Sequence, residues 1–166
     1  DAMMLTIEPL RWGSALALSG AYLAMCLGLW RMHLARARPS NVAADWLVVY
    51  ASQTGSAEFL AERTAATLAL GGLDARAACI STLDLATLSG ASRILFVCST
   101  YGEGDAPDPA ARFATQTMGA TPDLSQLHFG MLALGDITYT NYCGFGRALD
   151  AWLRERGATS LFERID

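Results

Sequence analysis

Between Trp46 and Ile165, short apolar runs rich in β-formers alternate with stretches of helical periodicity, and that alternation leaves few folds open. Trp46 to Ala51 and Arg93 to Ser99 are apolar on both alternate sets of positions, as expected for strands covered on two faces. His128 to Leu134 repeats the pattern, residues 73–80 read as a weaker strand, and 159–165 read as the last one. Between them, Ser56 to Leu70 places Ala57, Leu60, Ala61, Thr64 and Leu68 on one helical face, and Gly71 and Gly72 end that helix. Residues 81–88 read as a short helix or an irregular crossover. Residues 107–118 read as a helix with proline near its start, and 144–156 as one stopped by Gly157. The expectation is an α/β domain: an open, five-stranded parallel sheet with helices on both faces.

The residues before Trp46 are of another kind. From Trp12 to Trp30 there is no charged side chain, and a helix of that length rises about 28 Å, close to the hydrocarbon thickness of a bilayer. Tryptophan stands at both ends, and Arg31, His33, Arg36 and Arg38 follow. The positive-inside bias places the following domain in the cytoplasm, beneath an inner or plasma membrane. A secretory signal peptide is disfavoured because the basic cluster follows the apolar run, and a buried helix of the globular domain is the remaining alternative. We therefore expect a segment 1–34 with one transmembrane helix at about 12–30, a linker over 35–45 broken by Pro39, Ser40 and Asn41, and a domain over 46–166.

Charge divides at the same place. Residues 1–38 hold four arginines against two acids, and residues 39–166 hold eight against fourteen. An acidic domain does not suit nucleic acid and does suit a basic protein partner. The four cysteines, Cys26, Cys79, Cys98 and Cys143, form no C-x-x-C pair. A disulfide framework or zinc site is thus unsupported, and a reducing compartment is the natural reading. His33 and His128 are isolated, and no Ser-His-Asp set, Cys-x5-Arg motif or metal cluster is visible.

In an open parallel sheet, ligands sit beyond the carboxyl ends of the strands. The loops after Ala51, Ser99 and Leu134 are correspondingly rich in Gly, Ser, Thr and Tyr. The first, Ser52, Gln53, Thr54, Gly55, Ser56 and Ala57, sets hydroxyls and backbone amides at the start of a helix, a cradle sized for one terminal phosphate. It is neither a Walker loop nor a Gly-x-Gly-x-x-Gly turn, and an ordinary capped helix start has the same residues. The second, Ser99, Thr100, Tyr101, Gly102, Glu103 and Gly104, flanks an aromatic ring with flexible peptides; a solvated acidic turn is the plainer alternative. The third, Leu134, Gly135, Asp136, then Tyr139, Tyr142 and Cys143, offers two more rings where solvent-facing aromatics are unusual, against the plainer alternative of a long surface loop.

Together the segments Ser52–Glu58, Ser99–Asp108 and Ala133–Arg147 resemble the FMN domain of diflavin reductases, the family of the sulfite reductase flavoprotein subunit and the NADPH–cytochrome reductases. The resemblance covers about Trp46 to Asp166. It implies a flavodoxin-like fold in which Ser52–Ala57 bind the FMN phosphate and Tyr101 and Tyr139 sandwich the isoalloxazine ring. Gly102 to Gly104, with Glu103, would contact the N5 edge, beside Ser99 and Thr100. Leu134, Gly135, Asp136, Tyr142 and Cys143 would line the pyrimidine side.

In that family a final helix follows the fifth strand and leads into FAD and NADPH modules, so the resemblance implies a domain without that helix, its FAD and NADPH sites lying beyond Asp166. The implied function is one-electron transfer by FMN, received from an FAD/NADPH reductase module and passed to a redox acceptor docked on an acidic face formed by Glu103, Asp105 and Asp108. A free-standing flavodoxin-type carrier without its own reductase is the alternative, and an oligomeric quinone reductase a third reading. Stacked rings and acidic neighbours would lower the flavin potential, and a glycine carbonyl accepting from N5–H would favour one-electron steps.

Overall fold

A computed structural model describes residues 19–28 and 45–166. Residues 19–28 are helical and fall inside the charge-free run; the rest of that run, and the linker up to residue 44, lie outside the described residues. Among the described residues no helix is long and apolar enough to cross a membrane. The chain divides between Val42 and Ala43 into two units, and the second holds the strands and the three loops.

The strands are β1 (Trp46–Ala51), β2 (Ala75–Cys79), β3 (Arg93–Ser99), β4 (His128–Leu134) and β5 (Thr159–Ser160). They form one parallel sheet in the order β2-β1-β3-β4-β5. The helices are α1 (Ser56–Leu70), α2 (Leu85–Gly90), α3 (Asp108–Arg112) and α4 (Gly144–Glu155). The chain leaves β1 for β2 on one side and returns to β3 on the other, so the order reverses between β1 and β3. The loops after those two strands therefore splay apart at the same edge, which is where such sheets hold ligands.

The period-2 alternation of the strands sends side chains into two separate cores. Leu47, Val49, Ile94, Phe96, Phe129 and Met131 point to one face, where Leu149, Trp152 and Leu153 of α4 and Phe113 cover them completely. Val48 and Val97 point to the other, against Ala57, Ala61 and Ala65 of α1. Those three alanines recur every four residues, so the helix presents a flat stripe that lets its backbone approach the sheet closely. Leu60, Thr64 and Leu68, expected on the inner face, flank that stripe half-buried.

Three boundaries differ from the sequence reading. The second strand starts at Ala75 rather than at residue 73: Leu73 N donates to Leu68 O and Gly72 N to Ala69 O, closing the helix, while Asp74 O accepts from Trp46 N just before the strand. The helix expected over 107–118 holds α-geometry only to Arg112. It then widens into a π-turn at Phe113–Thr117, where Thr115 Oγ1 donates back to the carbonyls of Ala111 and Arg112.

The last strand, expected over 159–165, is the third difference. It pairs continuously only at Thr159 and Ser160 and rejoins β4 at Ile165, opposite Leu132. Between those points the Phe162 ring lies over Gly130, where an added Cβ would stand 2.4 Å from Phe162 Cζ. A glycine in mid-strand thus receives a ring from the neighbouring segment, and the ladder opens to admit it. The crossover at 81–88 is a 3-10 turn, Ile80–Thr82, followed by α2, whose first turn is capped by Asp84 accepting from Thr87 N.

Candidate functional site

The loop after β1 is shaped by its own hydroxyl. Ser52 Oγ accepts from Gly55 N at 2.9 Å, and Gly55, in the left-handed conformation, delivers the chain into α1. The amides of Ser56, Ala57 and Glu58 open that helix with no acceptor among the described residues. Such first-turn donors, at the positive end of a fifteen-residue helix, attract an anion. Thr54 and Ser56 are exposed beside them, while Ala57 is buried and anchors the helix start to the sheet.

Gln53 behaves differently from its neighbours. Its Nε2 donates to Asp108 Oδ2 and its Oε1 accepts from Asp108 N, both at 3.0 Å. The side chain therefore caps α3 and ties the first loop to the end of the second, leaving only its backbone to the first loop's own turn. A distance of 55 residues separates the pair, and no local pattern announces it.

The second loop is a closed hairpin. Tyr101 and Asp105 exchange two backbone bonds of 2.9 Å, with Gly102, Glu103 and Gly104 at the tip. Thr100 N donates to Leu134 O at 2.8 Å, fastening the loop to the end of β4. The Thr100 hydroxyl oxygen is buried without a hydrogen-bond partner. Gly104 has φ 126°, and a Cβ there would lie 2.2 Å from Asn141 Nδ2, so neither the conformation nor the packing admits another residue.

The third loop begins with an Asx turn. Asp136 Oδ1 accepts from Thr138 N at 2.9 Å and from Thr138 Oγ1 at 2.7 Å, and these bonds hold its carboxyl below the usual range. Ile137 is 81% exposed and Tyr139 41%; Tyr101 across the edge is 58% exposed. Large apolar side chains so placed cost free energy unless something covers them. Tyr142 is half-buried, with the Arg147 guanidinium carbon 4.4 Å from its ring centroid. Cys143 is buried in a left-handed conformation, its thiol turned inward to Ala133 O, so it meets the edge through its backbone. Burial raises the thiol pKa. Gly135 lies against it, and Leu134 and Ser99 sit half-buried at the ends of their strands.

The three loops are thus linked in series, the first to the second through Gln53 and Asp108, the second to the third through Thr100 and Gly104. A cavity of about 550 Å³ opens elsewhere, between residues 80–86 and the π-turn. Its charged groups are already engaged, Asp84 with Thr87 and Arg112 with Gln116.

Residues 48–166 match the family model described as flavodoxin. The chain belongs to the flavodoxin family. Its domain is 37% identical over 120 residues to the sulfite reductase [NADPH] flavoprotein alpha-component of Neisseria meningitidis serogroup C, covering 72% of this chain and 20% of that protein. The corresponding Bacillus subtilis protein is 35% identical over 133 residues, covering 80% and 22%. The chain thus spans about a fifth of the curated relatives it matches. Among solved structures, the flavodoxin of Streptococcus pneumoniae TIGR4 superposes with a TM-score of 0.65 at 26% identity, covering 73% of this chain and 82% of that one.

FMN is the cofactor of this family, and the residues of this flavodoxin domain fit it on chemical grounds. The loop Ser52–Ala57 carries no cationic side chain, as suits a single phosphate held by amides and hydroxyls. Exposed rings stand on two of the three loops, and one buried hydroxyl, that of Thr100, is without a partner.

Proposed function

We propose that the three strand-end loops hold FMN and that the domain serves as the electron-transfer module of an NADPH-dependent flavoprotein reductase. When bound, FMN supplies the capacity to accept and release electrons singly. The polypeptide supplies position. Ser52, Thr54, Ser56 and the amides of Ser56–Glu58 bind the phosphate at the end of α1. Tyr101 and Tyr139 cover the two faces of the ring, and the peptides of Gly102 to Gly104 meet its N5 edge. Gly135, Asp136, Tyr142 and the backbone of Cys143 take the pyrimidine side. Glu103 at the hairpin tip, with Asp105, places negative charge beside the ring and opposes further charge on it.

The observation that carries this reading is the serial linkage of the loops around the anion-binding start of α1, with aromatic rings exposed on the second and third. The reductase context is supported by the identity to flavoprotein components, 37% over 120 residues. An FAD/NADPH module in the same full-length protein is the electron source in this reading. Its acceptor is a basic redox protein docking on Glu103, Asp105 and Asp108. Attachment to a membrane through the charge-free run Trp12–Trp30, with the flavodoxin domain in the cytoplasm, rests on that run and the arginines after it.

The test is the visible spectrum of the purified protein. A flavin spectrum, with FMN released on unfolding, is the expected result; a folded, colourless protein that ignores added FMN would refute the proposal.

A further inference from the structure

The third loop is joined to the end of the described chain by an unbroken line of charge. Arg147 lies in the first turn of α4, its guanidinium over the Tyr142 ring. Its Nε donates to Asp166 Oδ2 at 3.3 Å. Asp166 accepts from Arg164 through both oxygens, at 2.6 Å from Nε and 3.2 Å from Nη2. Arg164 Nη1 in turn donates to Asp150 Oδ2, which also accepts from Arg154 Nε. The segment bearing Arg164 and Asp166 is itself fixed to β4, with Ile165 N donating to Met131 O and Ala133 N to Ile165 O.

Asp150 is buried and accepts from Arg154, four residues on in the same helix, and from Arg164, which ties α4 to the C-terminal segment. Arg147 with Asp166 is a second tie between the same two elements. Arg147 reaches the other way, over a ring of the third loop. The other ties of that loop are short-range turns, the Thr100 N–Leu134 O bond at its start, the Cys143 thiol contact and the Asn141–Gly104 packing. A guanidinium that is also bonded to a carboxylate has less freedom to leave the ring it covers. Asp166 is kept ionised by Arg164, and its carboxyl lies below the usual range.

We propose that Arg147 is a positioning residue for the third loop, and that Asp166, acting through it, makes the grip of that loop on FMN depend on the C-terminal segment. The ligand in this inference rests on the FMN reading above; the coupling of segment to loop does not. The C-terminal segment thereby sets how firmly Tyr142 and its neighbours are held. Docking or strain on that segment is then transmitted to the cofactor loop through two side chains.

The experiment compares Arg147→Gln, Arg147→Lys, Asp166→Asn and the double variant Arg147→Gln/Asp166→Asn in the full chain. In flavin-free protein, amide exchange at Tyr142 to Gly144 is expected to quicken about tenfold in Arg147→Gln and less in Asp166→Asn, with Arg147→Lys between wild type and Arg147→Gln. In FMN titrations the dissociation constant is expected to rise in the same order. The double variant is expected to be no worse than Arg147→Gln alone, because both act through one line of contact. Unchanged exchange in Arg147→Gln, or full additivity in the double variant, overturns the proposal. A wild-type chain that binds no FMN refutes the proposed function and the ligand part of this inference; the exchange comparison still decides the coupling.

Discussion

The interior of the sheet and its carboxyl edge are built on opposite terms. Inside, Phe96 and Phe129 are essentially inaccessible and belong to one apolar cluster, with the Arg154 guanidinium over the Phe129 ring. At the edge, Ile137, Tyr101 and Tyr139 keep between 41% and 81% of their surface in solvent, and the backbone is held by turns, glycines and side-chain bonds. The interior gains stability from burial at roughly 25 cal/mol per Å² of apolar surface, whereas the edge leaves apolar surface exposed, as the proposed FMN site requires. Fold and binding therefore rest on different residues, and substitutions should separate them.

The largest effect belongs to the interior. Phe96→Ala is expected to lower unfolding stability by about 3–5 kcal/mol, read by chemical denaturation, while the folded fraction binds FMN as before. A parallel loss of affinity in the folded fraction would break the comparison. At the edge, Tyr139→Ala is expected to weaken FMN by about 1–3 kcal/mol, the scale of a lost ring contact, with little change in the unfolding midpoint of the flavin-free protein. An unchanged dissociation constant would remove Tyr139 from the site.

Gln53→Ala sharpens the comparison from a third side. It removes two hydrogen bonds between exposed groups, so about 1 kcal/mol of stability is expected to go, together with the link between the first and second loops. The expected reading is a faster exchange of the Asp108 amide than of any amide in β3. Equal exchange would show the loops to be fastened otherwise.

Acid titration gives a smaller effect. Asp136 and Asp166 have folded-state pKa values below the ordinary carboxylate value, so their contribution is full above about pH 4 and fades as pH falls further. The third loop should loosen below that value, with no change between pH 7 and pH 5; loosening already at pH 6 would point to another group. Smallest of all, deleting residues 1–38 is expected to leave the unfolding midpoint of the flavodoxin domain unchanged and the protein soluble. An unfolded product would place the N-terminal segment in the domain's core.

The sheet was legible because β1, β3 and β4 carry uninterrupted apolar runs, whose meaning does not depend on distant residues. The β5 boundary was not, since it turns on Phe162 meeting Gly130, a contact between segments 32 residues apart. The π-turn at Phe113–Thr117 was likewise hidden, because Thr115 reads as an unremarkable helical position. The loops were readable as polar, glycine-bearing strand ends, and the resemblance assigned their roles. Their fastening was not readable: Gln53 with Asp108, Asn141 beside Gly104, and Arg147 between Tyr142 and Asp166 are long-range pairs that leave no periodic trace.

The most direct test of the central claim is a titration of the folded protein with FMN and, separately, with riboflavin, followed by the visible spectrum. The account predicts one FMN bound per chain with a perturbed ring spectrum, and far weaker binding of riboflavin, which lacks the phosphate that the start of α1 would hold. Equal affinity for the two would contradict the phosphate cradle, and no binding of either would contradict the site as a whole.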